Sequence, residues 1–176
     1  MGKVQVEEQA KKFVATDYLG NMVKLTDYPN KRVLLSFFRG ASCPFCNMRI
    51  HQLIKAYPQI KEKGIQPITV FAATSEEIVK YAGKQNAPFP IIADPSLELY
   101  KLYGIEESSV GMLKAMMNPA KMVRMMFSGF FNMKSIKDRP IIPADFLIAS
   151  DMKIHKVYYG KDFGDHVPLQ EILDWK

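Results

Sequence analysis

Apolar and polar positions divide this chain into short blocks with two different periods. Val33-Leu34-Leu35-Ser36-Phe37-Phe38 is a β-branched and aromatic run, the pattern of a central strand buried on both faces, and Gly40 ends it. From there the period changes. Cys46, Ile50, Leu53 and Tyr57 recur at helical spacing and predict a helix that opens at Pro44 and packs on a sheet. Pro58 predicts a kink or a stop in it, because an interior proline removes a backbone hydrogen bond. Pro67 to Ala73 reads as a second apolar strand. Thr74-Ser75-Glu76-Glu77 has capping-box spacing and predicts a helix through about Lys84. Phe89 to Ala93 is a third strand, and Asp94-Pro95-Ser96 caps a helix that carries Leu97, Leu99, Tyr100 and Leu102 up to Gly104.

The flanks follow the same rules. Phe13 to Leu25 predicts a β-hairpin around Leu19-Gly20-Asn21, and Asp27-Tyr28-Pro29-Asn30 is a turn into the central strand. Asp145 to Ser150 and Lys153 to Tyr159 predict strands joined at Asp151-Met152, with Pro168 to Trp175 as a closing helix. Strands alternating with helices over short connections predict an α/β fold, a sheet covered on both faces. One segment breaks the rhythm, an insertion over about 105–140. Seven of the eleven methionines fall there (Met112, Met116, Met117, Met122, Met125, Met126 and Met133), with no acid between Glu107 and Asp138. Its readings are a cap that fills irregular gaps with methionine, a self-association or partner surface, and a docking face for an anionic membrane.

Composition narrows the class. At 176 residues and 20.1 kDa, with 48% hydrophobic and 24% charged residues, the chain reads as one domain over 1–176, large enough for a core without disulfide staples. The first ten residues lack the apolar run of a signal peptide, and no segment has the length to cross a bilayer, which predicts a cytoplasmic protein with no transmembrane segment. The net charge of +6 is spread along the chain without a nucleic-acid motif. It predicts a basic surface that steers anionic partners, and no nucleic-acid binding.

The chemistry concentrates in Cys43-Pro44-Phe45-Cys46, which holds both cysteines of the chain. Pro44 suits the first helical position and puts Cys43 at the N-cap, where unpaired N–H groups and the helix dipole favour a thiolate. Cys46 begins the buried stripe, so Cys43 is expected at the rim. No carboxylate lies between Asp27 and Glu62, while Arg39 and Arg49 flank the pair, a field that also favours the anion. A structural zinc site needs four ligands and finds no second cysteine pair. A cysteine hydrolase needs a base, and His51 stands about 12 Å along the helix, as a surface residue. Ser42 either donates toward a thiolate or occupies the turn, and Asp165-His166 reads as a helix-capping turn. The cysteine pair itself calls for no cofactor and no metal.

The hairpin, the Phe-Phe-Arg-Gly strand end, Cys-Pro-Phe-Cys, the stretch 93–105, Pro143-Ala144-Asp145-Phe146-Leu147-Ile148 and Gly164-Asp165-His166-Val167-Pro168 together resemble the peroxiredoxin-like branch of the AhpC/TSA family. The resemblance implies a thioredoxin-like fold, a central mixed sheet flanked by helices with an N-terminal β-hairpin and the Met-rich helical insertion. In that family Cys46 takes the place of the peroxidatic cysteine, which puts Cys43 where a threonine or serine is usual and Arg39 where a proline is usual. The arginine such enzymes bring from a later strand would fall near Pro143 and is absent there, so two of the three groups that activate the peroxide are replaced. Pro143 in turn resembles the cis-proline that thioredoxins set opposite their disulfide. The resemblance implies a thiol-disulfide oxidoreductase in which Cys43 attacks and Cys46 resolves, recharged by an external thiol reductant such as a thioredoxin system. Arg39, Ser42, Pro44 and Pro143 are its candidate activating or substrate-binding residues. The alternatives are a peroxidase that reduces hydroperoxides with Cys46 as attacking and Cys43 as resolving cysteine, and a non-catalytic redox-sensing interaction protein with the insertion as its binding surface; a homodimer through that insertion is a further expected partner.

Overall fold

The computed structural model describes residues 2–107, 119, 123, 126–130 and 138–175. An antiparallel hairpin, β1 (Val14–Thr16) and β2 (Met22–Lys24), leads into β3 (Arg32–Phe38). The long helix α1 (Pro44–Glu62), β4 (Ile65–Phe71), α2 (Ser75–Lys80), β5 (Ile91–Ala93) and α3 (Glu98–Leu102) follow. The chain closes with β6 (Ala144–Ile148), β7 (Ile154–Tyr159) and α4 (Leu169–Asp174). Five strands form one mixed sheet in the order β5-β4-β3-β6-β7, parallel from β5 to β3 and antiparallel beyond. The α/β, thioredoxin-like expectation holds.

β3 sits at the centre because both its faces are apolar. Val33, Leu35 and Phe37 point to one core with the hairpin and α3, while Leu34 and Phe38 point to the other with α1. Phe37 packs edge-on against Tyr100 and Phe146, and Phe38 stacks on Phe71 with ring centroids 4.8 Å apart. The alternation of β6 follows suit: Ala144, Phe146 and Ile148 join the first core, and Leu147 joins the second. Asp145, between them, pairs in register with Ser36. Both are buried polar residues beneath α1.

Local chemistry explains the helix boundaries. The Thr74 side chain accepts from Glu77 N–H while the Glu77 carboxylate accepts from Thr74 N–H, the predicted capping box. The α2 helix stops at Lys80 and a 3-10 turn over Ala82–Gln85 completes the segment, shorter in α-helix than its pattern predicts. Buried Asp94 caps α3 through the N–H groups of Glu98 and Leu99 at 3.0 and 2.8 Å. Pro58 does not end α1, which runs on to Glu62 with Pro58 on its exposed face. The peptide bonds of the described residues are all trans, so Ile142-Pro143 does not adopt the cis form that its resemblance to the thioredoxin proline suggested. The Pro143 carbonyl accepts from Gly160 N–H at 2.9 Å instead.

Most of the Met-rich insertion lies outside the described residues. Within it, Pro119, Val123 and Met126 are helical, and Phe130 approaches His51 of α1 with ring centroids 6.1 Å apart. No helix among the described residues is long and apolar enough to cross a membrane.

Candidate active site

The turn between β3 and α1 delivers the cysteine pair to the C-terminal end of the central strand, as the strand-to-helix pattern predicts. Cys43 is the extended N-cap of α1 and Pro44 its first residue. The turn is held from below by Asn47, whose side-chain amide donates to the carbonyls of Ala41 and Cys43 at 2.8 and 2.9 Å. Asn47 is buried, and sequence reasoning passed over it. Its signal was a polar residue one position into the apolar stripe, beside the cysteine that begins it.

The expectation that Cys43 lies at the rim is corrected: Cys43 and Cys46 are both 0% exposed. Residues 138–139 are bonded to the turn that leads to the pair. Arg39 donates through Nε to the Arg139 carbonyl at 2.7 Å and through Nη2 to the Asp138 carbonyl at 2.8 Å, and its guanidinium lies 4.2 Å over the Phe163 ring. Ser42 donates to the Asp138 carboxylate at 2.8 Å and not to a thiolate. Gly40 makes this possible, because a Cβ there would stand 2.3 Å from the Asp138 carboxyl carbon. The carboxylate-free field inferred from local sequence is therefore interrupted by an acid about a hundred residues away.

The two thiols are driven apart. A hydrogen bond from the Cys46 thiol does most to lower Cys43 from the usual thiol range; burial opposes it, and the Cys46 N–H and the Arg39 charge reinforce it. Burial pushes Cys46 well up, followed by the hydrogen bond it gives to Cys43 and the charge on that sulfur. One sulfur is thus poised as the anion and its neighbour as the proton holder. Asp138 works against the first, since its charge raises Cys43, while burial raises Asp138 itself. Asp138→Asn removes a negative charge beside the thiolate, so the pH midpoint of Cys43 ionisation, followed by thiolate ultraviolet absorbance, is expected to move down. An unmoved or higher midpoint would show that the Ser42–Asp138 hydrogen bond matters more than the charge.

A second polar cluster lies beneath the first turns of α1. His166 Nδ1 stands 3.0 Å from Asp145 Oδ2, and Val167 N–H donates to the same oxygen at 2.7 Å. Arg49 Nη2 donates to the Val167 carbonyl at 2.7 Å. His166 is a buried partner of Asp145 and packs on Phe38, so the helix-capping reading of Asp165-His166 is corrected for the histidine. Asp165 does make a turn, accepting from Lys161 N–H and the Tyr158 hydroxyl. Burial opposes the charge on Asp145, yet His166, Arg49 and Ser36 hold its carboxyl below the usual carboxylate range. Of the predicted site residues, Arg39, Ser42, Cys43, Pro44 and Cys46 come together. The described contacts of Pro143 lead to Gly160, and His51 is exposed on α1.

Comparison with known proteins supports the same architecture. The chain is 34% identical over 104 residues to the thiol-disulfide oxidoreductase ResA of Bacillus thuringiensis, a match covering 58% of this chain and 60% of that relative. It is 26% identical over 113 residues to peroxiredoxin Bcp of Escherichia coli, covering 63% of this chain and 72% of that one. A crystal structure of a PrxQ mutant from Xylella fastidiosa superposes with a TM-score of 0.72 at 15% identity, covering 99% of this chain and 96% of that one, a likeness of fold. The AhpC/TSA family model matches residues 6–157, and with the cysteine pair at the head of α1 on a mixed five-stranded sheet, the chain belongs to the AhpC/TSA family.

Proposed function

We propose that this protein is a thiol-disulfide oxidoreductase. The Cys43 thiolate attacks a substrate disulfide and forms a mixed disulfide, and the first substrate thiolate leaves and takes a proton. Cys46 then gives up its proton and attacks Cys43. The second substrate thiolate is released, and the protein keeps both oxidising equivalents as a Cys43–Cys46 bridge. An external thiol reductant, such as a thioredoxin system, returns the pair to its reduced form. The observation that carries this reading is the opposed tuning of two adjacent thiols, with the lowered one at the helix N-cap.

The ResA-like relatives support it, and the peroxiredoxin relatives support a second reading in which Cys46 attacks a hydroperoxide and Cys43 resolves the sulfenic acid. The raised Cys46 favours the first. The test is the second-order oxidation rate of the reduced protein by hydrogen peroxide against that by a small disulfide. Fast disulfide exchange with slow peroxide oxidation is expected, and the reverse ranking would move the protein to the peroxidase reading. A cytoplasmic setting suits a chain whose two cysteines form one redox pair. Self-association through the insertion, where Met126 and Phe127 are 64% and 87% exposed, completes the proposal.

A further inference from the structure

Beside the cysteine pair lies a cavity of about 460 Å³ between one face of α1 and the 164–169 loop. Phe45, a residue of the Cys-Pro-Phe-Cys sequence itself, lines it, so the cavity abuts the reactive turn. Its walls combine apolar side chains, Phe45, Met48 and Leu169, with two buried nitrogen-bearing groups, Arg49 and His166. Gln52 lines it from the exposed side of α1. That composition, mostly apolar with few convergent polar groups, is typical of a small-molecule site.

The two buried groups are incompletely satisfied. Arg49 is 6% exposed and spends Nη2 on the Val167 carbonyl, while its Nε has no hydrogen-bond partner among the described residues. His166 spends Nδ1 on Asp145, and its Nε2 is likewise unpartnered. Asp145 attracts the guanidinium at longer range, but its oxygens are already engaged by His166 and Val167. A buried N–H without an acceptor is disfavoured, so an arginine held in this way keeps donor capacity unspent.

We propose that this cavity is a carboxylate subsite, anchored by Arg49 and flanked by His166, that binds the acidic end of a small disulfide substrate with an apolar body. The proposal rests on the thiol-disulfide reading above. A carboxylate matches the planar guanidinium fork and its single charge. A phosphate dianion would add two negative charges beside Asp145, where a carboxylate adds one. The apolar walls suit the alkyl body, and the net charge of +6 draws such anions toward the protein.

The test uses three disulfides that differ only in their end groups: 3,3′-dithiodipropionate, bis(2-hydroxyethyl) disulfide and cystamine. At low salt the reduced protein is expected to favour the dianion over the neutral compound on the order of tenfold, and the diamine least. Arg49→Gln should erase that ratio. Because Arg49 also holds Val167, the exposed Gln52 supplies a second arm: Gln52→Glu should lower the anionic-to-neutral ratio several-fold and Gln52→Lys should raise it. Propionate, titrated into the reduced protein, should move the His166 ring resonances in NMR spectra. Equal rates for the three disulfides with unmoved His166 resonances would overturn the subsite, as would a charge preference that survives Arg49→Gln. If no disulfide is reduced while propionate still moves His166, the anion site stands and the thiol-disulfide reading falls.

Discussion

Cys43→Ser is expected to reduce thiol-disulfide exchange to the uncatalysed background, whereas Cys46→Ser should complete the first step and stall there. The reason lies in the division of labour between two buried sulfurs. Cys43 carries the lowered pKa and so supplies the nucleophile, and the one other thiol of the chain, Cys46, is held protonated by burial and does not replace it. Cys46 is held as a thiol by burial and can act only after Cys43 has become half of a mixed disulfide and its negative charge is gone. Loss of Cys46 therefore traps the substrate, and intact-mass measurement should find the Cys46→Ser protein heavier by one substrate half. The Cys46 side chain also donates the hydrogen bond that lowers Cys43. Cys46→Ala should thus raise the pH midpoint of Cys43 ionisation, and Cys46→Ser, which keeps a donor, should raise it less. A peroxidase with Cys46 as the attacking group predicts the opposite pattern: peroxide oxidation lost in Cys46→Ser, and a sulfenic acid accumulating in Cys43→Ser.

Much of this was legible locally. The apolar run of β3, the glycine after it and Pro44 behind Cys43 are each decided by neighbours in sequence, and they place the cysteine pair at the head of α1. The capping box at Thr74 and the Asp94 cap are local in the same sense. What the sequence hid is carried by long-range pairing. Asp138 reaches Ser42 across ninety-six positions, and Asp145 meets His166 because β6 runs antiparallel beside β3 with its odd residue turned toward α1. No periodicity announces such contacts, since an acid in a strand otherwise full of core residues reads as the strand's exposed end. The burial of Cys43 likewise comes from packing in the core beneath α1, which its N-cap position does not reveal. Pro58 does not end the helix, one of its two expected effects, because on the exposed face α1 runs on to Glu62 while the apolar stripe of Cys46, Ile50 and Leu53 packs in the core.

These buried contacts give the two ends of the site different work. The Arg39–Asp138 side sets the charge around Cys43. The Arg49–His166–Asp145 side fixes the 164–169 loop against α1 and shapes the neighbouring cavity. A change on the first side should be read in thiol ionisation, and a change on the second in stability and substrate choice.

Asp145→Ala is accordingly expected to destabilise the protein by about 3–5 kcal/mol, the usual result of removing one partner from a buried charged cluster. The carboxylate accepts from Val167 N–H, faces His166 Nδ1 and lends its charge to Arg49, so its loss leaves three buried groups poorly compensated. Asp145→Asn should cost less, because an amide oxygen still accepts one of the hydrogen bonds. The pH dependence has a definite sign. Burial alone would raise Asp145, but its partners win and its native pKa lies below the unfolded value of about 3.9. The native state therefore holds the ionised form more tightly, contributing stability that is fully present above the unfolded pKa and lost as pH falls through the native one. Urea melts at neutral pH should place the midpoints in the order wild type, Asn variant, Ala variant. As pH is lowered through the carboxylate range, the gap between wild type and Asp145→Asn should close. A gap that stays constant through that range would mean that the Asp145 charge contributes nothing to stability and that only its shape and hydrogen bonds matter.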